Sequence, residues 1–487
     1  MLRPLAVLLL ALVIAAPAAA KVHGPLGHQG RWITDRGGRV VTLRGINMVY
    51  KLSPYAPDAV GFGDDDAAFL ASEGFTTVRL GVIYEAVEPS PGAYDDAYLG
   101  RIAATVRTLA RHGIFTLLDF HQDLFSERFQ GEGFPNWAIQ DDGLPAQPQS
   151  GFPGNYLLMP ALQHSFDHFW ANDPGPGGVG LQDRYAAAWR HVAERFGRNR
   201  HVLGYDLFNE PWPGTTWQQC ANPAGCPVFD AQLSAFNARA IAAIRTVDPD
   251  TLVFYEPQVF FNNGARPGMA DTGDANTAMS FHDYCVTAGE GGGGYAGCET
   301  VDDMVFQNAD DHAASVGDAL LLTEFGATDQ PDVLEGVLGL ADRHMVGWQE
   351  WHYCGCGDPT TTGSGDKQAI VLDPAKPPAG DNLKKPTVDL LARPYPRAVA
   401  GTPKGWAFDA ASRRFELTYT RRRASGHGSF RRRAATEVVV PKRRYRHGYK
   451  ATVTGGKRVS RRGARVLRIH ARKRARRVKV TIVPRPR

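Results

Sequence analysis

Cysteine and methionine are scarce in this 487-residue chain, at six and seven residues. The cysteines fall into three close couples, Cys220 with Cys226, Cys285 with Cys298, and Cys354 with Cys356. None of the couples has the two-residue gap of a zinc knuckle, so the spacing argues against a metal and for disulfides that clip loops in an exported protein. A bridge between Cys354 and Cys356 would span only Gly355, an awkward geometry that leaves cross-pairing or free thiols open there. Beyond the N-terminus no stretch approaches the roughly 20 apolar residues of a membrane helix. The short apolar run from Leu5 to Ala16 follows Arg3 and ends in Pro17-Ala18-Ala19-Ala20, which reads as a signal peptide over residues 1–20 and predicts secretion. No Gly-rich dinucleotide turn follows the first strand pattern, and Gly291-Gly292-Gly293-Gly294 lacks the strand and Lys-Ser context of a phosphate cradle, so it reads as a loop. Acidic residues are nearly missing from the C-terminal part. From Tyr395 onward 29 Lys and Arg face 3 Asp and Glu, whereas 26 face 47 upstream, so the formal net charge of +5 conceals a basic tail on an acidic body. That asymmetry suits an anionic partner such as membrane phospholipid, wall polymer or nucleic acid, or else a β domain with a heavily charged solvated face.

What the sequence does contain is an alternation of short apolar, β-branched runs with longer amphipathic stretches. Strands are predicted at residues 41–47, 77–82, 115–120, 202–208, 251–255, 278–281, 320–323 and 347–351. Between them lie helix patterns such as 98–109, where Tyr98, Ile102, Val106 and Leu109 share one face and Gly113 supplies the stop, and likewise 185–196 and 236–247. Eight βα units in one continuous run predict a closed (β/α)8 TIM barrel over residues 21–393, because buried parallel strands need helical crossovers. Its last helix is predicted from Pro386 to about Leu391. Thr- and Val-rich segments at 415–419, 435–440 and 478–483 then predict a C-terminal all-β sandwich domain over 394–487. One interval is far longer than the others. Residues 130–180, rich in Gly, Pro and aromatics, leave from the carboxyl end of the third barrel strand and are expected over the mouth.

The chemistry is carried by Asn209-Glu210-Pro211 at the end of the fourth strand and Thr323-Glu324-Phe325-Gly326 at the end of the seventh. In a closed barrel these strand ends face each other across the mouth, so two glutamates there can flank one glycosidic bond. Retaining hydrolysis needs its two carboxyl groups about 5–5.5 Å apart, one to attack the anomeric carbon and one to protonate the leaving oxygen and then activate water. Asn-Glu-Pro alone is a tripeptide that chance supplies often; the second glutamate three βα units later gives it weight.

These motifs, with Leu43-Arg44-Gly45-Ile46-Asn47, Val78-Arg79-Leu80, His121, His282 with Tyr284, and Trp351, resemble glycoside hydrolase family 5 over essentially the whole barrel. The resemblance implies Glu210 as acid/base, Glu324 as nucleophile, Asn209 on the sugar 2-hydroxyl, Tyr284 orienting the nucleophile, Arg79 holding it ionised and Trp351 as the stacking surface for a pyranose. A narrower resemblance, to the endoglycoceramidases, is carried by Asp119-Phe120-His121-Gln122-Asp123-Leu124-Phe125-Ser126, Gly131-Glu132-Gly133-Phe134-Pro135-Asn136-Trp137, Asn47-Met48-Val49-Tyr50-Lys51 and the Tyr395-Pro396-Arg397 opening of the tail. It implies a glycolipid substrate cut between glycan and ceramide, with Lys51, Asp123 and His121 hydrogen-bonding the sugar. Phe129, Phe134, Trp137, Phe152, Tyr156 and Phe260 are expected walls of an apolar channel for the leaving group, with packing of the insertion as the alternative. No cofactor and no nucleic-acid partner is expected; an anionic membrane or cell surface is the expected partner of the basic tail. The competing readings are an endo-β-glucanase or β-glucosidase acting on soluble β-glucosides and a non-catalytic surface-binding protein.

Overall fold

The computed structural model describes residues 22–285, 294–361 and 365–486. The expected signal peptide and Gly291, Gly292 and Gly293 of the glycine run lie outside the described residues. Three short strands come first, β1 (Gly27–Gln29), β2 (Trp32–Thr34) and β3 (Val40–Val41). The barrel follows: β4 (Arg44–Met48), β5 (Thr77–Ile83), β6 (Phe115–His121), β7 (Val202–Asp206), β8 (Leu252–Tyr255), β9 (Thr277–Asp283), β10 (Ala319–Phe325) and β11 (Gly347–Glu350). These eight pair in parallel, in sequence order, and close on themselves where β11 meets β4, for example at Trp348 and Arg44. All eight are buried along their whole length, which is why they read as apolar runs without alternation. Gly45 is required by that closure, since a Cβ there would lie 2.0 Å from the Thr77 carbonyl oxygen.

The helix expected at 98–109 spans Asp96–Arg111, with the Asp95 carboxylate capping Ala97 and Tyr98 and with Tyr98, Ile102, Val106 and Leu109 all buried. The eighth helix is Lys385–Leu391, with Pro386 in its first turn. The long insertion differs from the expected loop. It folds two helices of its own, Gly154–Leu158 and Pro160–Trp170, because Leu162, Phe166, Phe169 and Trp170 recur at helical spacing and bury against the barrel.

Strands β12 (Tyr395–Val399), β13 (Thr402–Asp409), β14 (Arg414–Thr420), β15 (Ala435–Val439), β16 (Tyr449–Thr454), β17 (Gly456–Arg458), β18 (Val466–Ala471) and β19 (Arg477–Pro484) build the sandwich. Its four-stranded sheet runs β13-β14-β19-β16, and its seven-stranded sheet runs β1-β2-β3-β12-β15-β18-β17. The sandwich is therefore not made from residues 394–487 alone. Val41, expected in the first barrel strand, pairs with Ala398 in the outer sheet, and the barrel strand begins only at Arg44. The N-terminal segment has a second task. Leu26, Ile33 and Val41 cluster with Phe115, Leu203, Leu252 and Ala319 at the starts of barrel strands and plug the barrel floor. At the same end, the Arg44 guanidinium lies over the Tyr395 and Trp348 rings and pairs with Asp342, which also accepts from Trp406 Nε1 at 2.8 Å. The sandwich thus sits at the amino-terminal end of the barrel, opposite the mouth. All three close cysteine couples are disulfide-bonded, Cys354 with Cys356 included.

Candidate active site

At the carboxyl ends of the barrel strands, Glu210 stands four residues past β7 and Glu324 is the penultimate residue of β10. A carboxylate oxygen of each and a ring nitrogen of His282 all lie within 4.8 Å of one another. That spacing falls on the short, retaining side of the two glycosidase geometries. Glu210 has φ +44°, a left-handed conformation that a non-glycine residue holds only when its surroundings fix it. Its backbone N–H donates to Glu256 Oε2 at 2.8 Å. Its side-chain Oε1 accepts from Asn262 Nδ2 at 2.9 Å and lies 2.9 Å from His282 Nδ1. Glu324 accepts from Tyr284 Oη at Oε2, 2.7 Å away, and from Arg79 at Oε1.

Arg79 is the hub. Its fully buried guanidinium donates to Asp206 and Glu256, each at 2.9 Å, and to Asn209 Oδ1 at 2.9 Å, and it pairs with Asp119 at 3.0 Å and with Glu324. Only a planar five-donor group satisfies so many oxygens from one point. Burial pushes Glu324 above the ordinary carboxylate range against the pull of His282, Arg79 and His121. Arg79 thus draws Glu324 toward ionisation, as the resemblance implies, but desolvation is the larger influence. Burial works against the His282 imidazolium, yet Glu256 and Glu324 hold its pKa well above the usual value.

A second buried cluster adjoins the first. Lys51 Nζ donates to Asp123 at 2.6 Å and to Thr360 at 2.7 Å, and lies 3.3 Å from Asp358 and 4.0 Å from Glu132. It also sits 4.6 Å from the Trp351 ring centroid, and that ring stacks on His121. His121 Nδ1 is 2.8 Å from Asp119, which links the cluster back to Arg79. Burial opposes charge on His121, but Asp119 and Asp123 outweigh it and raise its pKa to about 10. The His121, Asp123 and Glu132 oxygens and nitrogens are close enough to hold a cation, and the Lys51 ammonium supplies the positive charge there.

All ten residues singled out in the sequence (Lys51, Arg79, His121, Asp123, Asn209, Glu210, His282, Tyr284, Glu324 and Trp351) therefore meet in one network. Sequence reasoning passed over Asp119, Asp206 and Glu256, the carboxylates that balance Arg79. Their signal was present: an acid inside an apolar strand at 119 and 206, and Glu256-Pro257 repeating the strand-end pattern of Glu210-Pro211. The expected apolar walls fare differently. Phe129, Phe134 and Tyr156 are buried in the core, where Phe134 stacks on Phe125 and packs against Tyr84 and Phe169, because the insertion needs an interior of its own. Trp137 is held by a hydrogen bond from Nε1 to the Glu88 carbonyl. Phe152, partly buried, packs edge-on against Tyr156. Phe260 flanks the catalytic rim: it packs on Trp212, on whose ring Tyr156 also stacks, and on Trp217, and its turn, Val259–Asn263, carries the Asn262 amide that holds Glu210. Trp212 and Trp217 went unnoticed in the sequence, although Trp212 lies two residues after Glu210.

Residues 34–356 match the family described as Cellulase (glycosyl hydrolase family 5), and residues 393–483 match the glycoside hydrolase family 5 C-terminal domain. Endoglycoceramidase I of Rhodococcus hoagii is 34% identical over 456 residues, covering 91% of this chain and 85% of that protein. Endo-glycoceramidase II from Rhodococcus sp., solved as a lactosyl-enzyme intermediate, superposes with a TM-score of 0.74 at 31% identity, over 93% of this chain and 99% of the other. Its ganglioside GM3 complex superposes with a TM-score of 0.74 at 30% identity and the same coverage.

Proposed function

Because the chain belongs to glycosyl hydrolase family 5, we propose that it cleaves the β-glycosidic bond between oligosaccharide and ceramide in glycosphingolipids, with retention of configuration. One observation carries the substrate reading: the catalytic pair stands between a polar and an apolar half. Lys51 and Asp123 follow β4 and β6 and His121 ends β6, whereas Trp212 and Trp217 follow β7 and Phe260 follows β8; β6 and β7 are neighbours, and Lys51 and Phe260 come from strands four apart in the eight-stranded ring. Sugar hydroxyls find a donor and acceptors on the first side, and an alkyl chain finds aromatic faces on the second.

In this mechanism Glu324 attacks the anomeric carbon, with Arg79 and Tyr284 fixing one oxygen each. Glu210 Oε1 is occupied by Asn262 and His282, so Oε2 carries the proton that goes to the ceramide oxygen. After ceramide leaves, Glu210 takes a proton from water, which displaces Glu324 and releases the glycan. Asn209 keeps its second amide hydrogen for the 2-hydroxyl, since one is donated to the Gln122 carbonyl, and Trp351 is the stacking surface for the sugar. No step calls on a metal or organic cofactor. The signal-peptide pattern of residues 1–20 supports export of the enzyme, and the charge of the basic sandwich supports contact with an anionic membrane or cell surface there. Incubation of the mature protein with a ganglioside, a galactosyl glycolipid and a soluble β-glucan, read by mass spectrometry, tests the substrate. Intact glycan plus free ceramide is expected; glucan cleavage with untouched glycolipids would overturn it.

A further inference from the structure

We infer that a groove on the sandwich is a binding site for a linear phosphodiester polymer. This deepens the proposed contact with an anionic surface and rests on it. The groove, about 1270 Å³, is lined by Arg423, Arg431, Arg432, Arg433, Lys457 and Arg472 among others. Its charge is uncompensated. Of the three acids after Tyr395, Asp409 is turned to Ser412, Glu416 pairs with Arg414 and Lys479, and Glu437 is shared among Arg39, Arg397 and Arg468. The acid lining the groove, Asp35, is held by Arg39 at 2.7 Å. No acid of the sandwich is left for Arg431, Arg432, Arg433 or Arg472, all of them exposed. A merely solvated surface intersperses both signs; this one is concave, and apart from the Arg39-paired Asp35 its charged lining is basic.

Three features narrow the ligand. The lining is mostly arginine, whose planar fork suits phosphate oxygens better than an ammonium does. The ring in the groove, Phe430, is buried beneath the Arg423 guanidinium at 4.3 Å from its centroid, so no open aromatic face is offered for stacking a base. That favours an aliphatic phosphodiester over a nucleic acid. Finally, the groove reaches Asp35, Gly37 and Arg39, in the segment that joins β2 to β3 on the barrel floor. A bilayer lying on that face would turn the mouth away from its glycolipid, whereas a polymer strand retained there leaves the mouth free toward an incoming membrane.

The test is fluorescence anisotropy with labelled poly(glycerol phosphate) and the mature protein, alongside sedimentation with phosphatidylglycerol–phosphatidylcholine vesicles. The variant Arg431→Ser/Arg432→Ser/Arg433→Ser is compared with Arg461→Ser/Arg462→Ser/Arg465→Ser, which removes equal charge from exposed positions outside the groove. The groove variant is expected to bind the polymer roughly 100-fold more weakly, while the control changes little and both keep wild-type hydrolysis of a soluble aryl lactoside. Equal losses in the two variants, or vesicles bound as tightly as the polymer, overturn the groove and leave the surface contact standing. Binding of neither probe removes both.

Discussion

Replacing Lys51 with methionine should damage stability and sugar recognition together, and should do so through Asp123. The ammonium lies 2.6 Å from Asp123 and 3.3 Å from Asp358, attractions of about 6 and about 5 kcal/mol at an effective dielectric of about 20. Burial is the largest single influence on Lys51 and opposes its charge, yet Asp123, Asp358 and Glu132 outweigh it and the pKa is raised. The cluster therefore holds Lys51 charged, and removing that cation leaves buried carboxylates unpaired, at a cost of about 3–5 kcal/mol. In Lys51→Met/Asp123→Asn the orphaned charge of Asp123 disappears while that of Asp358 remains, and about 2 kcal/mol of that loss should return. Urea unfolding of the four species of the cycle measures this, with kcat/KM on a ganglioside as the second readout. The pH dependence follows the same logic. Asp123 is buried, but Lys51 and His121 hold it below the ordinary carboxylate range. Its contribution is present above a pH of about 3.9 and is lost as pH falls through the depressed folded value. Without Lys51 the folded pKa of Asp123 rises, so the contribution shrinks and its loss is complete at a higher pH. Additive single-mutant effects within about 0.5 kcal/mol would refute the reasoning.

Glu324→Gln should abolish turnover and the glycosyl-enzyme adduct seen by mass spectrometry, whereas Glu210→Gln should still form that adduct from an aryl lactoside whose leaving group needs no acid; near-normal rates for either would remove the assigned roles. Trp217→Ala/Phe260→Ala should raise KM for a glycolipid roughly 30-fold, for about 2 kcal/mol of lost apolar contact, and leave a soluble aryl lactoside unaffected; equal effects on both substrates would place the pair outside the ceramide path. The His121 ring should stay protonated across neutral pH and titrate near about 10 in an NMR titration. Its stabilisation relative to His121→Gln is then full below the unfolded value of about 6.5 and lost as pH rises through about 10. A ring that titrates near neutrality would refute the Asp119–His121 coupling.

Local order determined a large share of this protein. Apolar β-branched runs alternating with amphipathic stretches specify a parallel sheet, because strands buried on both faces carry an unbroken apolar signature and need helices between them, and eight such units in one run point to a closed barrel over an open doubly wound sheet. The strand-end positions of Glu210 and Glu324 followed from that same order, since the carboxyl ends of barrel strands converge on one mouth. Thr- and Val-rich segments in the tail likewise announced β14, β15 and β19, of which β14 and β19 alternate in burial and β15 is buried throughout. What tertiary structure alone decided were pairings between distant segments. Nothing local reveals that β1 to β3 complete the sheet of a domain more than 350 residues away, because ladder hydrogen bonds depend on which edge is vacant. The same holds for Arg79: that four carboxylates from four strands surround it is a property of barrel closure. Phe134 and Phe260 look alike in sequence, yet one fills the core and the other flanks Glu210, since burial belongs to the packed neighbourhood and not to the side chain.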